Sequence, residues 1–446
     1  MIVSSAFADK RYAVLGLARS GLAAVDTLLA SGAQVMAWDN RKEPRDRLEG
    51  RVELADPVGA DLSGFEAVVV SPGVPLNSHP IAQAAHRASV PVIGDIELFA
   101  MARADLPAHR VVGITGTNGK STTTSLVAHI LRSAGLPVLT GGNIGLPILG
   151  QKPLDAGGVY VLELSSYQID LTFTLDCDVA ALLNITPDHL DRYEDFEAYA
   201  RSKGRLFEML GADHSAVFGM GDAHTAQIAQ EQATRSDLRG IACVDGAGIA
   251  ALQSDWPSLQ GPHNLQNAAV AVSIAEALGI NPAQWRAALP NFSGLPHRME
   301  RIAEAGGVLF INDSKATNPA SAAPALAAFP ANPEPRIHWI VGGLPKGDDM
   351  EECRPYFRNI AAAYTIGDAG PRFADILEPF TKVNRSEMLA EAVRSALAAA
   401  KPGDVVMLCP ACASFDQFRD FQARGDQFRQ IVEALLMPEP IAEGLR

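Results

Sequence analysis

The chain has 446 residues, 48% of them hydrophobic and 20% charged, and a formal net charge of −14. At roughly 100–200 residues per domain, it can hold several domains, each burying a core of its own. The acidic balance argues against a broad nucleic-acid or anionic-membrane surface, so an anionic ligand must be held by local donors against the overall field.

Five cysteines, Cys177, Cys243, Cys353, Cys409 and Cys412, form a sparse and odd set. That is no disulfide framework and fits a reducing compartment. The opening MIVSSAFADKR lacks the basic start and apolar run of a secretory leader. Nor is there a run of ~18 apolar residues to cross a membrane. A soluble cytoplasmic protein is expected.

Short apolar runs alternate with helical patterns, which reads as α/β. In the first unit, Tyr12–Gly16 is a buried strand entering a glycine loop. A helix follows over Gly21–Ala30, then a strand over Gln34–Trp38 that ends at Asp39. Glu66–Val70 is a further strand and leads into Ser71-Pro72-Gly73. The polar stretch Arg103–His109 closes the unit. The second unit opens with a strand over Arg110–Thr115 and a helix from about Ser121 to Ala134. Strands at Val159–Leu164 and Val179–Thr186 come next. A third unit begins near Arg298, with strands at Val308–Asn312, Ile337–Val341, Ala363–Ile366 and Val405–Leu408. The tail from Met437 is expected to be loosely held. This gives domains over residues 1–106, 107–297 and 298–446.

The loop Gly113-Ile-Thr-Gly-Thr-Asn-Gly-Lys-Ser121 sits between a strand and a helix. Glycines let backbone N–H groups approach phosphate oxygens, the helix N-terminus and Lys120 add positive charge, and the Ser121 hydroxyl can reach Mg²⁺. The spacing is a variant: Ile114 stands where the strict pattern has glycine, and Gly113 and Gly116 straddle it. A chance Gly-Lys-Ser in a turn is the competing reading, and the flanking strand and helix argue against it. Glu163 ends an apolar strand, where a carboxylate suits Mg²⁺ beside phosphates; a solvated strand-end glutamate is the alternative. His189 lies just past the next strand, where ligands gather in open α/β sheets.

Together these segments resemble the Mur ligase family, the amino-acid-adding enzymes of peptidoglycan synthesis. The resemblance rests on residues 113–122, Gly141-Gly-Asn-Ile-Gly145, Leu162-Glu-Leu-Ser-Ser166 and Asn184-Ile-Thr-Pro-Asp-His-Leu-Asp191. It continues through His263-Asn-Leu-Gln-Asn267, Gly294-Leu-Pro-His-Arg298 and Asn312-Asp-Ser-Lys-Ala-Thr-Asn318, in the family's order and over nearly the whole chain. Pro410–Phe421 is most similar to the D-glutamate-adding branch.

The resemblance implies a Rossmann-like N-terminal domain, a central P-loop ATPase-like domain and a Rossmann-like C-terminal domain. It implies addition of D-glutamate to UDP-N-acetylmuramoyl-L-alanine through an acyl phosphate, in the cytoplasm and by a monomer. ATP would meet Gly116, Thr117, Asn118, Gly119, Lys120, Ser121 and Thr122, with Asn264, Asn267, Arg298 and Asp313. Lys120, His189 and Lys203 would be catalytic. Ser121, Glu163, His189 and a carbamylated Lys203 would serve two Mg²⁺ positions. From its own sequence context Lys203 is only a helical lysine, expected in solvent. The uridine nucleotide would lie against Leu17, Ala18, Arg19 and Ser20, Asn40 and Arg41, Ser71, Pro72 and Gly73, and Asn143. Thr317, Lys346, Ser414 and Phe421 would recognise the amino acid. Leu344 departs from the acidic residue often found at its place; Asp348 or Asp349 could substitute for it.

Competing readings are weaker. Gly16-x-x-x-x-Gly21 followed by Asp39 would suit a nicotinamide-dependent dehydrogenase, but Ala18 stands at the central glycine. Cys409-Pro-Ala-Cys412 would suit a redox pair or half a zinc site, but no second ligand pair completes it. A non-enzymatic nucleotide-binding regulator would be excluded by phosphate release that depends on a UDP-muramyl substrate and an amino acid, and a folate polyglutamylating ligase sharing the ATP loop leaves the N-terminal unit unexplained.

Overall fold

The computed structural model describes residues 1–188, 192–345, 347 and 349–436. They form two compact units, Met1–Ala250 with Gln266–Pro290, and Ala251–Leu265 with Asn291–Arg446. Among the described residues no helix is long and apolar enough to cross a membrane.

The first unit contains two parallel sheets. One takes β1 (Arg11–Leu15), β2 (Gln34–Trp38), β3 (Glu53–Leu54), β4 (Ala67–Val70) and β5 (Val92–Ile93) in the order β3-β2-β1-β4-β5. Its central strands are covered on both faces, so they read as unbroken apolar runs rather than alternating ones. The other takes β6 (His109–Thr115), β7 (Val138–Gly142), β8 (Gly158–Glu163), β9 (Val179–Leu182), β10 (Ser215–Gly219) and β11 (Gly240–Val244) in the order β11-β10-β9-β6-β8-β7. Register sets Ile114 beside Glu163 and Thr115 beside Leu182, so the carboxyl ends of β6, β8 and β9 are level. The chain runs to opposite sides of β6 here, the switch point where such sheets bind ligands. The helix Lys120–Ser133 packs Leu126, Val127, Ile130 and Leu131 inward and stops at Gly135, at φ 86°.

The strand expected over Val179–Thr186 is shorter. It ends at Leu182, because Asn184 turns its backbone and side chain to the phosphate loop and Ile185 N–H donates to Asp222.

The second unit has one mixed sheet. β12 (Glu300–Ala305), β13 (Val308–Asn312), β14 (Ile337–Gly342), β15 (Ile360–Ile366), β16 (Lys382–Glu387) and β17 (Val405–Leu408) run in the order β12-β13-β17-β14-β15-β16. β12 alone is antiparallel to its neighbour. A Gly306-Gly307 hairpin with both φ values positive, 59° and 76°, makes that reversal.

Candidate functional site

The loop after β6 is built on two glycines. Gly116 has φ 148° and Gly119 φ 83°. A Cβ on Gly116 would lie 2.9 Å from Leu183 Cβ, and one on Gly119 would collide with the Asn267 side chain. Asn184 clamps the loop: its carbonyl accepts from Thr117 N–H at 2.8 Å and its Oδ1 from Asn118 N–H at 2.9 Å. The Lys120 ammonium donates to the Gly116 and Thr117 carbonyls at 2.8 and 2.7 Å, holding its charge at the mouth of the loop. Ser121 is buried and Thr122 half-buried in the first helical turn.

Glu163 ends β8 beside that loop and is buried. Asn143 Nδ2 donates to its Oε1 at 2.9 Å, while Oε2 has no hydrogen-bond partner among the described residues. A buried carboxylate oxygen left unmatched is costly to the fold and is what a cation ligand requires. The donor set therefore fits Mg²⁺ at Glu163 and Ser121. His189 lies outside the described residues, and among the described ones no cluster of three or more His, Cys, Asp or Glu side chains could hold a metal by itself.

Lys203 overturns the expectation of solvent exposure. It is 1% exposed on the helix Phe196–Glu208. Its Nζ donates to the Gly116 carbonyl at 3.1 Å and lies 4.6 Å from the centre of the Tyr199 ring. Burial, and then the neighbouring Lys120 charge, pushes its pKa well below the ordinary lysine value. A signal was present: Tyr199, Ala200, Leu206 and Phe207, at helical spacings on either side, are all buried, so Lys203 lies within the apolar stripe.

At the first sheet, Gly16 turns with φ 87° and its carbonyl accepts from Ser71 Oγ at 2.7 Å, joining the loops after β1 and β4. Asp39 braces the same loop. Its carboxylate accepts from the N–H of buried Leu17 at 2.7 Å and from Arg41 at 2.9, 3.1 and 3.2 Å. Partial burial opposes its ionisation, but these bonds prevail and hold the carboxyl down at about 2. This structural duty accounts for the acid that the dehydrogenase reading assigned to a ribose. Ala18, Arg19, Ser20, Pro72 and Asn143 line one cleft of about 250 Å³ with Asp95, Gly142 and Gln168. Asn40, Arg41 and Gly73 are exposed and are not part of its lining.

In the second unit, Asp313 is buried at the end of β13. Burial raises its carboxyl to about 6, against opposing contributions from Met299 N–H, the Cys409 thiol and Arg298. Arg298 is half-buried, and its N–H donates to Leu295 O at 3.2 Å. Asn264 Nδ2 donates to Gln260 O at 3.1 Å. Buried Arg424 gathers the segments bearing Thr317, Ser414 and Phe421. Its guanidinium donates to Ser314 Oγ and O and to the Cys412 and Ala413 carbonyls, at 2.9 to 3.1 Å. Ser314 Oγ in turn donates to Phe421 O at 2.9 Å. Leu344 pairs through its backbone with Ala413 and leaves its side chain 38% exposed. Asp349 is exposed, and Lys346 and Asp348 lie outside the described residues. Cys409 and Cys412 are buried free thiols; burial pushes Cys412 up to about 12 and Cys409 well above the ordinary thiol value, the reverse of a reactive thiolate.

The sequence profile of the Mur ligase MurD-like N-terminal domain matches residues 10–94, that of the Mur ligase middle domain residues 114–275, and that of the Mur ligase glutamate ligase domain residues 297–412. The UDP-N-acetylmuramoylalanine--D-glutamate ligase of Novosphingobium aromaticivorans is 69% identical over 436 residues, covering 98% of this chain and 97% of its own. The chain belongs to the Mur ligase family. A ligase of the same name from Sphingopyxis alaskensis is 56% identical over 98% of this chain and 100% of its own. Among solved Mur ligases, the UDP-N-acetylmuramate-alanine ligase of Thermotoga maritima superposes with a TM-score of 0.56 at 16% identity, covering 96% of this chain and 99% of that one. MurF from Acinetobacter baumannii gives 0.58 at 18%, covering 84% and 93%. At these identities the likeness speaks for the fold alone.

In this Mur ligase, several shaping residues escape a sequence reading. Arg424, Asp95 and Gln168 reach the sites only through tertiary contacts, and for Asn184, which opens a quoted motif, the clamp on the phosphate loop was not foreseen. The capping box of Ser165 and Gln168 was the available sign for one of them, since it fixes where the short helix Ser166–Asp170 starts after β8.

Proposed function

We propose that this Mur ligase joins D-glutamate to UDP-N-acetylmuramoyl-L-alanine at the expense of ATP, giving ADP, phosphate and an amide. The named activity of the relatives above supports it. The observation that carries it is the phosphate loop beside the half-satisfied Glu163, whose other oxygen is held by Asn143 from the wall of the nucleotide-sugar cleft.

A carboxylate cannot expel oxide, so it first attacks the γ-phosphorus of ATP and ADP leaves. The amine of D-glutamate then attacks the acyl phosphate, a tetrahedral adduct forms, and inorganic phosphate departs. Lys120 and the glycine-loop N–H groups would hold the phosphates, and most of the catalysis is positioning and charge neutralisation. Asn267, Arg298 and Asp313 would bind the rest of ATP, with Asn264. Ser121, Glu163 and His189 would hold Mg²⁺, which would supply neutralisation of phosphate charge. Thr317, Lys346, Ser414 and Phe421 would hold D-glutamate.

Lys203 would act as a carbamate. Its depressed pKa favours the neutral amine, whose lone pair bonds to the carbon of CO₂ with release of a proton. The neutral amine would thereby become an anion close to Lys120 and suited to the proposed metal position. We further propose a monomer working in the cytoplasm, with domains 1–106, 107–297 and 298–446.

Incubation of the protein with ATP, Mg²⁺ and UDP-N-acetylmuramoyl-L-alanine against a panel of D- and L-amino acids tests the reading. Phosphate release should require D-glutamate. No release with any acidic amino acid, or equal release with no amino acid added, would sink it.

A further inference from the structure

Asp95 opens the helix Asp95–Ala102 behind β5 and lines the cleft shared by Ala18, Arg19, Ser20, Pro72 and Asn143. It is 4% exposed, yet its Oδ1 has no hydrogen-bond partner among the described residues. The contrast with Glu97, on the same helical turn and equally buried, is informative. Glu97 Oε2 accepts from Phe173 N–H at 2.6 Å and Thr174 N–H at 2.9 Å, and Oε1 from Thr174 Oγ1 at 2.7 Å. Glu97 ties its helix to the loop at Phe173 and Thr174. Asp95 performs no comparable duty, and the fold bears the cost of desolvating it. Burial raises its carboxyl to about 6, partly offset by Ile96 N–H and the Gln168 side chain.

An acceptor left unmatched in a cleft wall is matched by the ligand. A phosphate would be repelled by this carboxylate; it belongs with the N-terminus of the helix Arg19–Ala30 and with Arg19, across the same cleft. What Asp95 can accept from is a neutral donor. Resting on the reading of the cleft as the nucleotide-sugar site, we propose that Asp95 is a substrate-binding residue whose Oδ1 accepts a hydrogen bond from a sugar hydroxyl or amide N–H of UDP-N-acetylmuramoyl-L-alanine.

The proposal predicts opposite effects on stability and binding. D95N removes a buried charge at constant shape, so its melting temperature should equal or exceed that of wild type. Its Kd for UDP-N-acetylmuramoyl-L-alanine, measured by calorimetry without ATP, should rise about tenfold or more. The KM for ATP should stay within about twofold, since the ATP loop is untouched. D95A is the second variant and should weaken binding at least as much while remaining folded. Wild-type affinity in a folded D95N overturns the inference alone. A lower melting temperature in both variants, with binding lost only in proportion to unfolding, makes Asp95 structural and also overturns it. A wild-type protein that fails to bind the nucleotide-sugar overturns the proposed function, and this inference with it.

Discussion

An ammonium group cannot occupy the place of Lys203 cheaply. It is enclosed, faces a second lysine, donates to one carbonyl and lies over one aromatic ring, and the charges of Asp188 and Asp170 offset only part of the cost. The proposed carbamate would remove the repulsion and provide an anionic oxygen as a ligand for the proposed Mg²⁺. Lys203→Ala should therefore lose nearly all ligase activity and regain part of it with added short carboxylates, read as phosphate release at saturating substrates; full activity without them would refute the role. Asp39 gives a prediction about pH. Its folded pKa, about 2, lies below the unfolded value, so it stabilises the fold above the unfolded pKa of roughly 3.9 and loses that contribution as pH falls through the folded value. The urea midpoint gap between wild type and D39N should accordingly be wider at pH about 6 than at pH about 3. At this scale Lys120, Ser121 and Glu163 are legible, because each sits where an apolar run breaks. Lys203 and Asp95 are much less so, because burial of a charged side chain is decided by elements far away in sequence.

Among elements, the strands that declare themselves are those covered on both faces. β1, β4, β13, β14 and β17 are apolar runs and are found within a residue or so of their ends. β12 and β16 are half-exposed edges with sequences ERIAEA and KVNRSE, so they carry no such run; only pairing to a neighbour makes them strands. The overlong expectation for β9 has the same origin, since Leu183 and Ile185 are buried without belonging to the ladder. The helix Phe421–Leu436 shows what one side chain can do for several segments. Arg424 on its first turn holds the Ser314 and Cys412–Ala413 backbones together. R424M would leave those carbonyls buried and unmatched, at a cost of about 2–4 kcal/mol. Urea unfolding should register that loss, and the KM for D-glutamate should rise well beyond that for ATP if the loops remain folded. R424K, which restores the charge without the fork, should fall between the two.

For the whole molecule, three parallel or nearly parallel sheets and a phosphate loop at a switch point explain why no nucleophilic serine or cysteine is needed. Phosphorylation supplies the leaving group, and the protein supplies donors, cations and alignment. The α/β class was legible in the alternation of runs and helices, and the proposed ATP site in one variant loop. The proposed nucleotide-sugar cleft was legible only in part, because Asp95 and Gln168, which line it, come from segments without a motif. The most direct test of the account follows the substrate oxygen. With UDP-N-acetylmuramoyl-L-alanine labelled with oxygen-18 in its alanyl carboxylate, each turnover with D-glutamate and ATP should deliver a labelled oxygen to the phosphate released. Unlabelled phosphate alongside amide product would contradict the acyl phosphate and the site built around it.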